Sequence, residues 1–272
     1  MSLVVPETLA SFGLQSPPFP KAPAPEACFR WPALRECLAR LHFAHSLRGF
    51  ALITGDVGAG KTTALRLFLR ELDAERAPAV YLADSALSPR EFYGRVLEHF
   101  GVLPGFTQSR ARRQFQSLLA EMAQTQGKTP VVVIDEGHGL SAAMVQELRY
   151  LQNVDCDGEN PFTLIICGQA EIRAMLRLKT FEAVAQRVTI RFHLTGLSTP
   201  ETTAYVQHAL RLAGVDRPLF TDAALTLLHT HAHGILRRIG LLATHALLDA
   251  ALNKTPLVEE PSVRRAVADL DE

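Results

Sequence analysis

Gly55-Asp56-Val57-Gly58-Ala59-Gly60-Lys61-Thr62 is the stretch whose reading decides the fold. It fits G-x-x-x-x-G-K-[ST], and it stands between a short apolar run at 49–54 and a helical pattern at 61–71, the strand-then-helix setting this motif demands. Its glycines let the backbone curl so that N–H groups point at phosphate oxygens. The N-terminus of the following helix adds favourable partial positive charge. Lys61 is expected to reach the β- and γ-phosphates of a bound ATP, and the Thr62 hydroxyl to ligate Mg²⁺. The expected nucleotide-binding set is Gly55, Asp56, Val57, Gly58, Ala59, Gly60, Lys61, Thr62 and Thr63.

A second stretch fits the same chemistry. Val131-Val132-Val133-Ile134-Asp135-Glu136 is an apolar strand that ends in two acids. A carboxylate at a strand end can hold Mg²⁺ through its water shell, which suits Asp135, and Glu136 is then the candidate base that polarises the attacking water. Charge is expensive beside a core, so two adjacent carboxylates there call for a reason. His138, in Asp-Glu-x-His, reads as a loop residue after the strand rather than a catalytic one. Gln169 follows the next apolar strand, at 163–168, where an amide is placed to touch both γ-phosphate and water; a plain loop amide is the alternative.

Outward from these stretches the chain alternates. Strands are expected at 49–54, 79–83, 131–135, 163–167 and 188–194, and helices at 31–45, 61–71, 88–100, 109–126, 142–153 and 171–176. Near-continuous apolar strands separated by helices mean an α/β fold with a parallel sheet covered on both faces. Beyond 195 the pattern is helical only, at 199–213, 221–231, 236–252 and 262–270. The expected organisation is a Pro- and Ala-rich lead-in over 1–28, a P-loop core over 29–196 and a helical lid over 197–272.

Composition limits the rest. Across 272 residues Lys+Arg and Asp+Glu are 28 each, so any grip on a polyanion must be a local basic patch. Cys28, Cys37, Cys156 and Cys167 lack metal-ligand spacing, which argues against zinc, and Cys167 reads as a buried thiol in a reducing, cytoplasmic setting. The sequence shows no signal peptide and no apolar run long enough to span a membrane. His229, His231, His233 and His245 lie close in sequence, and His229 and His233 have the spacing to share a helix face. No further ligand completes a metal site, so they read as lid residues.

Taken with Phe12-Gly13-Leu14 and Pro17-Pro18-Phe19 at the start, Gly168-Gln169-Ala170-Glu171-Ile172-Arg173, Gln186-Arg187-Val188 and His233-Gly234-Ile235-Leu236-Arg237, the two nucleotide motifs resemble the ExeA-type branch of the AAA+ ATPases. The resemblance implies a five-stranded P-loop sheet with a C-terminal helical lid. It implies that Gln169 is the sensor-1 residue, that Arg237 or its neighbour Arg238 is the sensor-2 arginine, and that Arg187 is a finger acting on a neighbouring subunit. The plain alternative for Arg187 is a solvated charge before a strand. Phe12 and Phe19 would line the base pocket. ATP would promote a homo-oligomeric ring or filament.

That branch serves two jobs. Some members energise assembly of a secretion pore and carry a membrane helix and a peptidoglycan-binding part, which this sequence does not show. Compact members resemble the transposition regulators of the Mu B and TnsC type, which assemble on DNA and present it to a transposase. The expected reading is the second, with a secretion component as the alternative partner. Arg110, Arg112 and Arg113 at a helix start form the candidate patch for duplex DNA, bound through phosphates without sequence preference. A solvated helix face is the alternative there, and Lys128, Arg149 and the Arg264-Arg265 pair are weaker candidates.

Overall fold

The computed structural model describes residues 11–84, 86–151 and 160–271. Cys156, the expected helix end at 152–153 and the first ten residues of the lead-in lie outside the described residues. The chain forms two compact units. One comprises Ala33–Gly55 and Lys61–Leu194; the other comprises Met1–Pro32, Asp56–Gly60 and Thr195–Glu272.

The first unit is built on five parallel strands: β1 Phe50–Gly55, β2 Ala79–Leu82, β3 Val131–Ile134, β4 Thr163–Gly168 and β5 Val188–Leu194, in the spatial order β2-β3-β4-β1-β5. Every residue of β1, β3 and β4 is buried, as three inner strands covered on both faces must be. The register aligns Leu52 with Ile166 and Ile166 with Ile134. The ends of these strands therefore lie side by side, and the loops that leave them open on one edge of the sheet.

Around the sheet lie α1 Pro32–Ser46, α2 Lys61–Glu71, α3 Pro89–His99, α4 Gln108–Gln124, α5 Ala142–Leu151, α6 Ala170–Leu176 and α7 Glu182–Ala185. Local chemistry sets their starts. Ser88 and Glu91 close a capping box on α3, and the Thr107 hydroxyl accepts the Arg110 N–H to cap α4. The five strands and the longer helices fall where periodicity places them. The one-turn α7 and the 3-10 turns Gly137–Gly139 and Lys179–Phe181 escape a periodic reading because they are shorter than one repeat of the signal.

One aromatic cluster joins α3 and α4 to the base of the sheet. The Phe115 ring lies 5.2 Å from Tyr93, 5.8 Å from Phe92 and 5.5 Å from Phe162, centre to centre, and all four are fully buried. Beside them Glu147 is buried and satisfied: the Tyr93 hydroxyl donates to it at 2.7 Å, Gln108 at 3.2 Å, and the Arg112 guanidinium pairs with it at 2.5 Å.

The long helices of the second unit, among the described residues, are α8 Thr199–Leu212, α9 Asp222–Ala232, α10 Leu236–Leu252 and α11 Glu260–Asp271. A capping box of Ser198 and Glu201 starts α8, and the Thr221 hydroxyl caps α9. Arg265 on α11 forks onto Asp249 of α10 with bonds of 2.6 and 2.7 Å. The lead-in packs within this unit: Phe12 is buried, and Phe19 stacks near Tyr205 and rests on Gly240. No helix among the described residues is long and apolar enough to cross a membrane.

Phe115→Ala removes the ring at the centre of the aromatic cluster. It is expected to cost about 3–5 kcal/mol in urea unfolding, the usual range for a buried Phe; a loss near zero would mean that the cluster does not organise this side of the sheet.

Candidate nucleotide site

The octet begins where β1 ends. Gly58 and Gly60 hold φ of +83° and +102°, in the left-handed region that a side chain resists. Space is short as well: a Cβ on Gly58 would lie 2.6 Å from the Arg237 Cβ. The Arg237 N–H donates to the Gly58 carbonyl at 3.3 Å, so the loop is backed by the start of α10 within the second unit. Arg238, one residue on, instead lines a small cleft with His231, Leu241, Leu242, Val267 and Leu270. Of the two arginines, Arg237 is therefore the one at the glycine-rich loop.

In the first unit, Lys61 opens α2. Its ammonium is buried and donates to the Gly55 carbonyl at 2.9 Å, which holds the charge at the mouth of the loop. Thr62 follows, exposed, with its hydroxyl donating to the Asp135 Oδ2 at 3.0 Å. Thr63 is the third residue of the helix and half-buried.

Asp135 is the centre of the site. It is 3% exposed, one residue past the end of β3, and its carboxylate is fully engaged. Oδ2 accepts the Thr62 and Tyr81 hydroxyls at 3.0 and 2.5 Å, and Oδ1 accepts the Glu136 N–H at 2.8 Å. A buried carboxylate beside a threonine hydroxyl at the first turn of a phosphate-loop helix is the donor set that Mg²⁺ takes: hard oxygens, one anionic. The residues present fit that ion, which Thr62 would ligate directly with Asp135 beside it.

Tyr81 was not among the residues singled out from sequence. It pairs with Val133 in the sheet, two residues before Asp135, so Tyr81 and Asp135 project to the same face. Burial, and then its bond to Asp135, pushes the Tyr81 phenol well above the usual tyrosine range, so it remains a donor. The signal was present in the strand but needed the register of β2 on β3 to be read.

Glu136 is half exposed and stands in the left-handed conformation, φ 53° and ψ 33°, uncommon for a residue other than glycine. The turn Gly137–Gly139 then brings His138 back between two polar groups. Its Nε2 lies 3.0 Å from the Gln169 amide nitrogen and its Nδ1 3.5 Å from the Glu136 Oε2. Gln169 sits between β4 and α6 as the residue that precedes the helix. His138, read from sequence as a loop residue, in fact stands between the two groups expected to meet the γ-phosphate and the water.

Arg187 donates to the Ala183 carbonyl at 2.7 Å, which ties it to the end of α7 just before β5. The arginine patch divides. Arg110 and Arg113 are exposed on one face of α4 and line an open groove of about 590 Å³ with Val102, Gln114, Ser117, Leu118 and Glu121. Arg112 faces the other way, paired to Glu147 and lying over the Tyr150 ring. Residues two apart on a helix point in opposed directions, so Arg112 leaves the expected three-arginine patch, and only Arg110 and Arg113 of the three share the exposed face.

Cys28, Cys37 and Cys167 are buried, and burial pushes the Cys37 thiol up to about 12 and the Cys167 thiol well above the usual range. His229 bonds the Thr202 hydroxyl at 2.9 Å. His233 lies past the end of α9 in a left-handed cap, so the two histidines do not share a helix face.

Residues 44–176 match the family described as "AAA domain". General secretion pathway protein A of Aeromonas hydrophila is 36% identical over 244 residues, a match that covers 88% of this chain and 44% of that protein. The chain thus spans less than half the length of this curated relative. Cdc6p from Pyrobaculum aerophilum superposes with a TM-score of 0.69 at 17% identity, over 93% of this chain and 70% of that one. The RuvB Holliday junction branch migration motor of Thermotoga maritima superposes with a TM-score of 0.56 at 17% identity, over 94% and 74%. At such identities the two structures speak for the fold alone, which is the AAA+ P-loop fold.

Gly58→Ala puts a methyl group into a left-handed position against Arg237. At a strain of about 1–2 kcal/mol, ATP-analogue affinity measured by fluorescence titration is expected to fall roughly tenfold, and an unchanged affinity would show that the loop does not hold this backbone when nucleotide binds.

Proposed function

We propose that this chain is an ATPase of the ExeA-type branch that hydrolyses ATP and uses the cycle to assemble or remodel a protein complex; its P-loop fold, the AAA-domain match and the 36% identical relative support the reading. The observation that carries the ATPase half is the meeting of Thr62 and Asp135 at the ends of two elements, with Glu136 next in the chain. The 36% relative supports the partner half, because its name places it in general secretion. It favours the first of the two jobs read from the sequence, secretion assembly, over transposase targeting. Chain length does not separate the two, since the match spans 44% of the relative.

In this reading Lys61 leaves the Gly55 carbonyl for the β- and γ-phosphates, while the N–H groups of 56–61 take the remaining oxygens. Mg²⁺, when bound, neutralises developing charge between the β- and γ-phosphates. Thr62 and Asp135 hold its place. Glu136 accepts a proton from a water whose oxygen attacks the γ-phosphorus; the bond from that phosphorus to the β–γ bridging oxygen breaks, and ADP and phosphate leave. Gln169 donates to the γ-phosphate, and Arg237 offers positive charge beside the loop. Arg187 serves a neighbouring copy, which makes the site complete only in an assembly. Phe12 and Phe19 support the packing of the unit that holds Arg237, and the base-pocket role assigned to them from resemblance is proposed on that placement.

A DNA-directed reading keeps one observation: Arg110 and Arg113 stand exposed together beside an open groove. Contacts of that kind would be to phosphates, independent of sequence and weakened by salt.

Glu136→Gln is expected to bind ATP as the parent does and to release phosphate roughly a hundredfold more slowly or worse. Normal turnover would remove Glu136 from the role of base. Adding duplex DNA to the parent separates the readings: phosphate release and assembly seen by electron microscopy should be indifferent to it in the secretion reading. A strong stimulation lost in Arg110→Ala/Arg113→Ala would return DNA to first place. Mixing Arg187→Ala with Lys61→Ala subunits should recover activity if the arginine acts on its neighbour; no recovery would count against a shared site.

A further inference from the structure

We propose that His138 is a positioning residue that links the base to the γ-phosphate sensor, so that Glu136 takes up its working place only when Gln169 is engaged. The inference rests on the ATPase reading of the site and adds a part that the motifs leave out.

The geometry is a chain of three side chains. The Gln169 amide nitrogen lies 3.0 Å from the His138 Nε2, and the His138 Nδ1 lies 3.5 Å from the Glu136 Oε2. An amide nitrogen only donates, so Nε2 must be the accepting, unprotonated ring nitrogen. In a neutral imidazole the single proton is then on Nδ1, which faces the carboxylate. The pieces are thus oriented in one direction: amide to ring, ring to base.

The two ends of the chain differ in tightness. The Gln169 contact has hydrogen-bond length, whereas 3.5 Å exceeds it, and Nδ1 is buried with no hydrogen bond made. A buried donor left unmade is costly, so a small turn of the half-exposed Glu136 carboxylate toward it is favoured when nothing else claims that oxygen. Two arrangements of the base follow, one bonded to His138 and one free to meet water.

Gln169 is suited to choose between them. Its amide has two N–H groups, so one can stay on His138 while the other meets a γ-phosphate oxygen. The sensor therefore need not release the ring in order to report. The backbone holds the relay close: a Cβ on Gly168 would sit 3.0 Å from the His138 backbone nitrogen, which leaves no room for a side chain between the turn after β3 and the end of β4. The left-handed Glu136 and the 3-10 turn that follows it fix the ring in this gap, with backbone strain where a function would place it.

The test is steady-state phosphate release and ATP-analogue affinity on the full chain, with thermal unfolding alongside. His138→Ala is expected to lower kcat by roughly ten- to a hundredfold, with affinity and melting temperature close to the parent. His138→Asn, which returns a donor near the Nδ1 position but does not reach Gln169, should recover part of the loss. It also serves if the alanine variant folds poorly. Gln169→Ala and the double variant complete a cycle: if His138 acts through Gln169, the double variant is no slower than the slower single one. A His138→Ala variant with parental kcat overturns the proposal. So does a loss that multiplies fully with that of Gln169→Ala, or one matched by weaker binding or a lower melting temperature. A parent that releases no phosphate removes the ATPase reading itself, and the proposal falls with it; an active parent with an indifferent His138 removes the proposal alone.

Discussion

A single carboxylate, Asp135, is the constraint on which the site depends. A carboxylate this deep is costly to bury unless donors surround it. Three do, and each comes from a different place: the hydroxyl of Thr62 on α2, the hydroxyl of Tyr81 on β2 and the N–H of Glu136 in the turn after β3. All three reach it only in the observed register, with Tyr81 opposite Val133 and Ile134 opposite Ile166. A slip of one residue in β2 would carry the Tyr81 hydroxyl to the other face of the sheet. Folding the sheet correctly and building the phosphate site are therefore one event, and the cost of burying Asp135 is offset by the same contacts that aim Thr62.

What can be read from the sequence follows from how locally each feature is encoded. The octet at 55–62 and the acids at 135 and 136 are contiguous, and their strands are unbroken apolar runs, so their type and place are legible. The five-stranded parallel sheet follows from strands that are apolar on both faces. Tyr81 was not legible because its role depends on which strand lies beside β2. Arg112 was misread because three arginines within four residues look like one patch until helical phase divides them, and the partner that claims it, Glu147, is 35 positions away. The role of His138 needed a turn too short to show periodicity. The two phenylalanines of the lead-in show the same limit: a family motif gave them a place, and the structure gives them packing partners, Phe12 buried and Phe19 against Tyr205.

The division of the arginine cluster also bears on what drives function. Arg112 is held by Glu147 and Tyr93 in a buried network that ties α3, α4 and α5 together. Breaking such a pair leaves a charge without compensation, so Arg112 belongs to the stability of this face. Arg110 and Arg113 remain, with Glu121 opposing them in the same groove. Two cations and one anion make this a mixed surface rather than a uniformly basic one.

The sheet ends in two edge strands, β2 and β5. Such edges invite strand pairing with another copy. The β5 edge is blunted: Arg187, Arg191 and His193 lie along it, and the Arg40 guanidinium of α1 donates to the Arg191 carbonyl at 3.1 Å, occupying an acceptor that a foreign strand would need. The β2 edge is only four residues long and gives its exposed tyrosine to Asp135. Copies of this chain are thereby steered away from nonspecific edge pairing. Arg187, tied to the Ala183 carbonyl just before β5, stands at the border of this protected edge, where its charge adds to the barrier against a foreign strand.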